Sequence, residues 1–420
     1  MYAYQKIHFW ELPPTKIGLA LNKDTKDWFL DKSIQVAGSQ QKVTELLNSA
    51  SENYGKRIKY GHGMIRTWKY CHNRHLPVWV VLELTKLICP NAPERLVLLT
   101  QIERGIEYYR AGWGGTYCIK NPKLPIIVTP ELVSVVFHFC GDGHLSFRKH
   151  TTNSYRQINL IGLKRVYDKL QNCFGEFALC ENAFKNGKLE MPRVIGEIYK
   201  DIFKLGSCRW DEARIPEPIK NLPKEFLLAG LVAFIVDEGS IGEVIQIYSK
   251  NPKLLADIRE VAQKIDYKCL PIREKYARGV LDCYRFSISP QSYLKMCEDL
   301  DALIACFPTC DFAHKTDLFK LQVERVKRGG GKRAHGLGFN QIINILERKL
   351  MTTDELIAEI KIGKSSLREL LTKLESKGIV KRAGWQKRKL MWKLASNTPK
   401  SFSVAQDCAK GCFSQVNTSS

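Results

Sequence analysis

Two acids each close an uncharged, largely apolar run and stand immediately before a glycine. Asp142 does so in VVFHFCGDG (135–143), and Glu238, with Asp237 beside it, in LVAFIVDEG (231–239). The C-terminus of a helix carries negative partial charge, so a carboxylate there is locally unfavourable. The glycine that follows suits a left-handed cap. An unfavourable acid repeated at two equivalent places calls for a compensating cation. Ala229, Gly230 and Ala233 are small enough to let two such helices approach side by side, which would leave Asp142 and Glu238 as neighbours. Close carboxylates repel, and a hard divalent cation with oxygen ligands relieves the repulsion. Mg²⁺ or Mn²⁺ held there could activate water and stabilise a leaving oxygen in phosphodiester hydrolysis.

The elements that must position these acids repeat as well. Asp142 and Glu238 lie 96 residues apart, and an internal repeat of that period implies two similar lobes, expected over 129–220 and 221–325. After Gly239, VIQIYS alternates as a strand and PKLLADIREVAQKI has helical spacing. KCLPIREKYARGVLDCYRFSIS reads as two strands turning near Arg278-Gly279, and Ser289 caps a further helix. The segment after Gly143 gives the same order: strand, strand, helix, strand, strand, helix. The expected fold class is α+β, with a helix pair backed by two antiparallel sheets.

Flanking segments differ in character. Residues 1–35 carry little signal. Residues 41–88 hold three short helical patterns with a basic middle one (Arg66, Lys69), which suggests a helix-turn-helix within a helical domain at 1–101. The Gly-, Pro- and aromatic-rich 102–128 is expected to be a loop connector. A basic glycine-rich linker spans 326–338, and 339–395 gives three helices and a hairpin in winged-helix order. Residues 396–420, dominated at their start by Ser, Thr and Asn, are expected to be a disordered tail.

Charge names the partner class. Lys and Arg number 65 against 43 Asp and Glu, a net +22, and a surplus of that size predicts a polyanion, usually nucleic acid. Residues 327–393 alone hold 17 Lys and Arg against 6 Asp and Glu. The uncharged run 226–236 is too short to span a bilayer, and the first residues lack the apolar core of a secretory signal. The 14 Cys form no C-x-x-C pair and read as reduced thiols of a cytoplasmic protein.

The two acid-glycine stretches resemble the paired motifs of the LAGLIDADG family, which consists mainly of homing endonucleases. SKNPKLLADIREV, YRFSISPQSYLKM and NPKLPIIVTPEL resemble the segments around those motifs, and the likeness covers about 120–325. It implies a monomer of two pseudo-symmetric αββαββα lobes whose saddle-shaped sheets lie on the major groove of double-stranded DNA. It also implies a metal-dependent double-strand cut at a long asymmetric site, with Asp142 and Glu238 as metal ligands. Gly141 and Asp237 complete the implied set, Asp237 as a second acid or merely a cap. The sequence departs from the family where Cys140 and Val236 replace an acid. It departs again where Phe137 and Ala233 replace the motif glycine, which is expected to loosen the helix contact. The family's basic residue near the metals is sought at Lys250 or Lys275, with Lys164 or Lys185 as first-lobe candidates. Relatives that bind DNA without cutting it, or that assist RNA splicing, are the alternatives.

Polar strand residues would face the nucleic acid: Ser146, Arg148, Gln157 and Asn159 in the first lobe, and Gln246, Tyr248, Arg273, Lys275 and Arg285 in the second. Arg and Gln can read base edges, while Lys mostly meets phosphate. In the C-terminal module, Lys364, Ser365, Ser366 and Arg368 begin the third helix. Lys381, Arg382, Lys387, Arg388 and Lys389 line the hairpin, with Trp385 at its tip.

Overall fold

The computed structural model describes residues 5–61, 63–71, 74–112, 118–145, 153–179, 184–327, 337–360, 364–386 and 389–395. The chain divides into two compact units, Met1–Val326 and Lys327–Ser420. It is a mixed α+β protein with several small antiparallel sheets.

The first unit opens with β1 (Lys6–Ile7), β2 (Ile17–Leu21), α1 (Lys23–Ala37), α2 (Gln40–Ala50), α3 (Met64–Tyr70), β3 (Leu76–Pro77), α4 (Val78–Ile88), α5 (Ala92–Arg104), β4 (Ile106–Ala111), β5 (Ile119–Lys120) and β6 (Ile126–Ile127). The side chains of Asn22 and Ser39 accept first-turn N–H groups of α1 and α2, which satisfies donors that a helix start leaves unpaired. Three helices lie within 41–88 as expected, but a sheet ordered β3-β2-β4-β5 accompanies them. The expected connector at 102–128 is corrected by that sheet. Ile106, Tyr109 and Ile119 are buried anchors, and the glycine-rich composition between them hid the strands.

The centre of the unit is α6 (Pro130–Gly141), β7 (Gly143–His144), β8 (Asn153–Arg156), α7 (Leu160–Phe174), β9 (Lys188–Met191) and α8 (Arg193–Asp201). A short α9 (Glu217–Lys220) leads to α10 (Lys224–Glu238), β10 (Gly239–Ile241), β11 (Ile245–Ser249), α11 (Pro252–Lys264), β12 (Arg273–Ala277), β13 (Val280–Ile288), α12 (Tyr293–Cys306) and α13 (Thr316–Lys327). Both apolar runs are thus helices, and α6 packs against α10. The sheet after α6 runs β7-β8-β9 and the one after α10 runs β10-β11-β13-β12. The β12–β13 turn places Arg278 at φ 53° and Gly279 at φ 81°, the paired positive values of a tight hairpin whose twist matches its strands.

The second unit holds α14 (Leu337–Leu346), β14 (Met351–Thr352), α15 (Thr353–Ile360), α16 (Lys364–Ser376), β15 (Val380–Gln386) and β16 (Lys389–Leu394), with sheet order β14-β16-β15. Its own core includes Ile342, Leu356, Leu367, Leu371 and Trp392. Among the described residues no helix is long and apolar enough to cross a membrane.

Candidate catalytic centre

The helix pair brings the acids together. Thr129 caps α6, its hydroxyl accepting Leu132 N–H at 3.2 Å, and Pro130 occupies the first turn, where a missing N–H costs nothing. The contact between helices is built on one fit. A Cβ at Gly230 would lie 2.2 Å from Cε2 of Phe137, so the phenyl ring fills the space this glycine leaves open. Phe137 therefore does not loosen the pair, as its place in the motif suggested. The small residue has moved to the partner helix.

The glycines after the acids have a different purpose from a left-handed cap. Gly239 has φ −101° and ψ 157°, an extended conformation open to any residue. Space is what excludes a side chain. A Cβ on Gly143 would sit 2.4 Å from Phe139 Cα, and one on Gly239 would sit 2.6 Å from the Ile235 carbonyl oxygen. Each strand leaves its helix by folding back over the last turn, and only glycine permits so close an approach.

Asp142 stands at the C-terminal cap of α6 and Glu238 is the last residue of α10. The carboxyl of Asp142 is pushed up to about 7, first by burial and then by the charge of Asp237. That of Glu238 is also pushed up to about 7, first by burial and then by Asp142 and Asp237. Repulsion among acids from both helix ends is thus present in the geometry. A half-buried lysine, Lys315, opposes it. From a 3-10 turn at Ala313–Lys315, its Nζ donates to the carbonyl oxygens of Ile235, Val236 and Gly239 at 2.8, 2.7 and 2.6 Å. Those are C-terminal carbonyls of α10 and the residue beyond it, where a cation is favoured. Asp311 steadies the turn, its Oδ1 accepting Ala313 N–H at 3.0 Å while Arg165 of α7 grips both its oxygens at 3.2 and 2.9 Å.

Asp237 is a second acid by its charge on Asp142 and Glu238, but its oxygens are already engaged. Its side chain is fully buried and turns into the first lobe. Tyr155 Oη donates to Oδ1 at 2.6 Å, His138 Nδ1 meets Oδ2 at 2.9 Å, and Gln157 Nε2 lies 3.4 Å from Oδ1. Behind His138, Lys169 Nζ reaches Nε2 at 3.1 Å. A Cβ on Gly141 would touch Asp237 Oδ2 at 3.1 Å, so Gly141 closes against this carboxylate. Lys315, Tyr155, His138 and Lys169 were not anticipated from sequence. For Lys315 no local signal exists, because it lies beyond the repeated segments.

The expected basic residues are elsewhere. Lys250 is exposed just after β11. Lys275 sits over the Tyr248 ring, 4.9 Å from its centroid, and 3.5 Å from Asp282. Lys164 pairs with Asp168 at 2.9 Å, and Lys185 is exposed in the turn before β9. Of the expected first-lobe contacts, Ser146 and Arg148 fall outside the described residues. Gln157 reaches Asp237, as above. Asn159 is not a strand residue; its Oδ1 accepts Ile161 and Gly162 N–H, so it caps α7.

The second-lobe contacts do gather on one face. Gln246 pairs with Ser287, Tyr248 with Arg285, Arg285 with Arg273 and Lys275 with Cys283. Residues directly opposite in a ladder share a face, and the alternate residues Ile245, Ile247, Phe286 and Ile288 are buried. In the second unit Arg368 and Lys381 are exposed, Trp385 is 74% exposed, and Arg382 pairs with Glu375 at 2.9 Å. Lys364 and Ser365 lie in the first turn of α16, while Lys387 and Arg388 fall outside the described residues.

Among the described residues no three His, Cys, Asp or Glu side chains close round a common metal position. No protein-family model matches the chain, and no curated protein matches its sequence.

Proposed function

We propose that the chain is a sequence-specific, divalent-metal-dependent DNA endonuclease of the LAGLIDADG type, acting as a monomer of two unequal lobes. One observation carries the reading. Equivalent ends of two packed helices deliver Asp142 and Glu238, and both carboxyls are pushed up to about 7, first by burial and then by neighbouring acids, Asp237 acting on Asp142 and both Asp142 and Asp237 acting on Glu238. Paired acids kept in that condition are costly to a fold and useful to a hard cation.

The donor set fits Mg²⁺ or Mn²⁺. Mg²⁺ is commonly held by one or two carboxylates, completing its shell with water and substrate phosphate rather than with a protein cage. Asp142 and Glu238 would hold it, and Asp237, whose oxygens already accept other donors, would not. When bound, such an ion supplies a Lewis acid and a water of lowered pKa for phosphodiester hydrolysis. The chain's own residues do the rest. Lys315 keeps a positive charge beside the carboxylates while tied to the α10 carbonyls. The row Gln246, Tyr248, Arg273, Lys275 and Arg285 presents donors and charge to a duplex. The helices at 41–88 and the second unit, whose element order is that of a winged helix, add phosphate contacts.

A second reading is a DNA-binding regulator that no longer cuts. Lys315 favours it, since its ammonium already supplies a cation among the acids. One experiment separates the two. The protein is incubated with a pool of random duplexes and Mg²⁺, and cut ends are sequenced. Cleavage by wild type that E238Q loses on at least one strand supports the nuclease. Retained binding with intact DNA throughout supports the regulator.

A further inference from the structure

We propose that Asp237 is a positioning residue, held by the chain Tyr155–Asp237–His138–Lys169 so that the last turn of α10 presents Glu238 toward Asp142. The inference rests on the metal-site reading above and adds to it the device that aims one ligand.

The proton order along the chain follows from chemistry. A lysine ammonium has donors only, so Lys169 donates to His138 Nε2 across 3.1 Å. The single proton of a neutral imidazole then sits on Nδ1 and donates to Asp237 Oδ2 across 2.9 Å. Tyr155 donates its hydroxyl to the other oxygen across 2.6 Å. His138 belongs to α6, Tyr155 to β8 and Lys169 to α7, so three elements of the first lobe hold one carboxylate of the second. Lys169 and His138 are each 2% exposed. His138 has its basicity driven well below normal by burial and then by Lys169, which agrees with a neutral ring.

Such a chain fixes direction. Successive residues on an α-helix point about 100° apart. With Asp237 locked toward α6 by donors from α6 and β8, and His138 held in turn by Lys169 of α7, the bearing of Glu238 follows. Lys315 pins the backbone of the same turn from another side through the carbonyls of Ile235 and Val236. The last turn of α10 is thus gripped at the side chain before the acid and along its backbone. Asp237 meets its own charge balance through His138 to Lys169, leaving Glu238 as the carboxylate of α10 able to face a cation. A partner that orients a metal ligand without touching the metal typically changes affinity by about 10- to 100-fold when removed.

The test uses the full chain and Mn²⁺ alone, followed by electron paramagnetic resonance titration, with thermal unfolding measured on each variant. Y155F and K169M remove holders of Asp237 and leave every carboxylate in place. Each is expected to weaken Mn²⁺ uptake about tenfold while duplex binding in EDTA stays as in wild type. K169M also leaves Asp237 without its buried counter-charge, so D237N/K169M is expected to regain the thermal stability that K169M loses, yet to bind Mn²⁺ as weakly as K169M. Wild-type Mn²⁺ affinity in folded Y155F and K169M would overturn the positioning role while leaving the metal site standing. Wild-type protein that takes up no Mn²⁺ would overturn the metal reading, and this proposal with it.

Discussion

Replacing Gly230 by alanine tests the contact on which the helix pair depends. In an ordinary exposed helix the change stabilises by up to about 1 kcal/mol, because alanine loses less backbone freedom on folding. Here the new methyl would stand 2.2 Å from Phe137 Cε2, against an optimum of roughly 3.5–4.0 Å between carbons. Phe137 is fully buried, so its ring has no open side to move into. Overpacking of this kind costs about 1–3 kcal/mol, and the net expectation is a loss of about 1–2 kcal/mol. Phe137→Ala alone should cost about 3–5 kcal/mol, as a large buried ring is removed. In that background the obstruction is gone, and Gly230→Ala should turn neutral or stabilising. The assay is urea unfolding followed by circular dichroism on the four proteins of the cycle. Residues in contact couple by about 0.5–3 kcal/mol, so the sign reversal lies within reach of measurement. If Gly230→Ala stabilises the wild-type chain, the helices do not approach at this point and the placement of Asp142 beside Glu238 loses its support.

Three further outcomes follow from the same centre and from the division of the chain. The folded carboxyls of Asp142, Asp237 and Glu238 are pushed up to about 7, from ordinary values of 3.8, 3.8 and 4.5. Their contribution to stability is therefore full below the ordinary values and is lost as pH rises through about 7. The metal-free protein should melt at a lower temperature at pH 8 than at pH 5, and Mg²⁺ should restore much of the difference at pH 8; a flat metal-free profile would argue against crowded acids. Lys315→Met removes the donor to three carbonyls and a cation that acts on all three acids, so its loss of melting temperature should be larger at pH 8 than at pH 5, and an equal loss at both would mean that the lysine serves the backbone alone. A chain ending at Val326 should keep the far-ultraviolet spectrum expected of the first unit and a cooperative transition, since that unit has its own core, while binding duplex DNA more weakly; failure to fold would contradict the division.

The motif helices, the order of elements after α10, and the Arg278-Gly279 turn could be read from sequence because each rests on local spacing; after α6 the expected second strand pair is corrected to the single strand β9 between α7 and α8 among the described residues. What failed depended on tertiary contact. The polar pattern around Asn159 predicts a strand, yet Asn159 accepts two first-turn N–H groups, as does Asn251 at the start of α11. The two fall at matching places in the repeat, so comparing lobes would have identified the cap. The strand β4 is hidden because its partner β2 lies far earlier in the chain, and β5, only two residues long, pairs with β4 and carries almost no pattern of its own. Asp237 was visible as a second acid, but its burial among Tyr155, His138 and Lys169 depends on distances no spacing encodes. Lys315 is legible only once the 3-10 turn is known to fold back on α10.

The lobes share a plan but differ in what they offer a partner. In the first, Asn153, Ser154 and Tyr155 of β8 are all buried: Tyr155 is spent on Asp237, and the Asn153 amide reaches the Arg193 carbonyl at 3.3 Å. In the second, the long β13 and its hairpin partner β12 leave a polar row open along one face, and Tyr276 and Val280 stand exposed near the turn. On the proposed reading, base recognition by the described strands therefore belongs mainly to the second lobe. The first lobe contributes the buried grip on Asp237, while Arg165 steadies the turn that carries Lys315. Substituting Arg273 or Arg285 should then relax sequence preference over one half of the bound site and leave the other half unchanged, since a lost arginine contact to a base edge costs discrimination only where it reads, about 1–3 kcal/mol. Selection from a random duplex pool with R273A and R285A measures this directly. Loss of preference spread evenly across both halves would mean that these arginines meet phosphate, and that sequence is read by some other part of the chain.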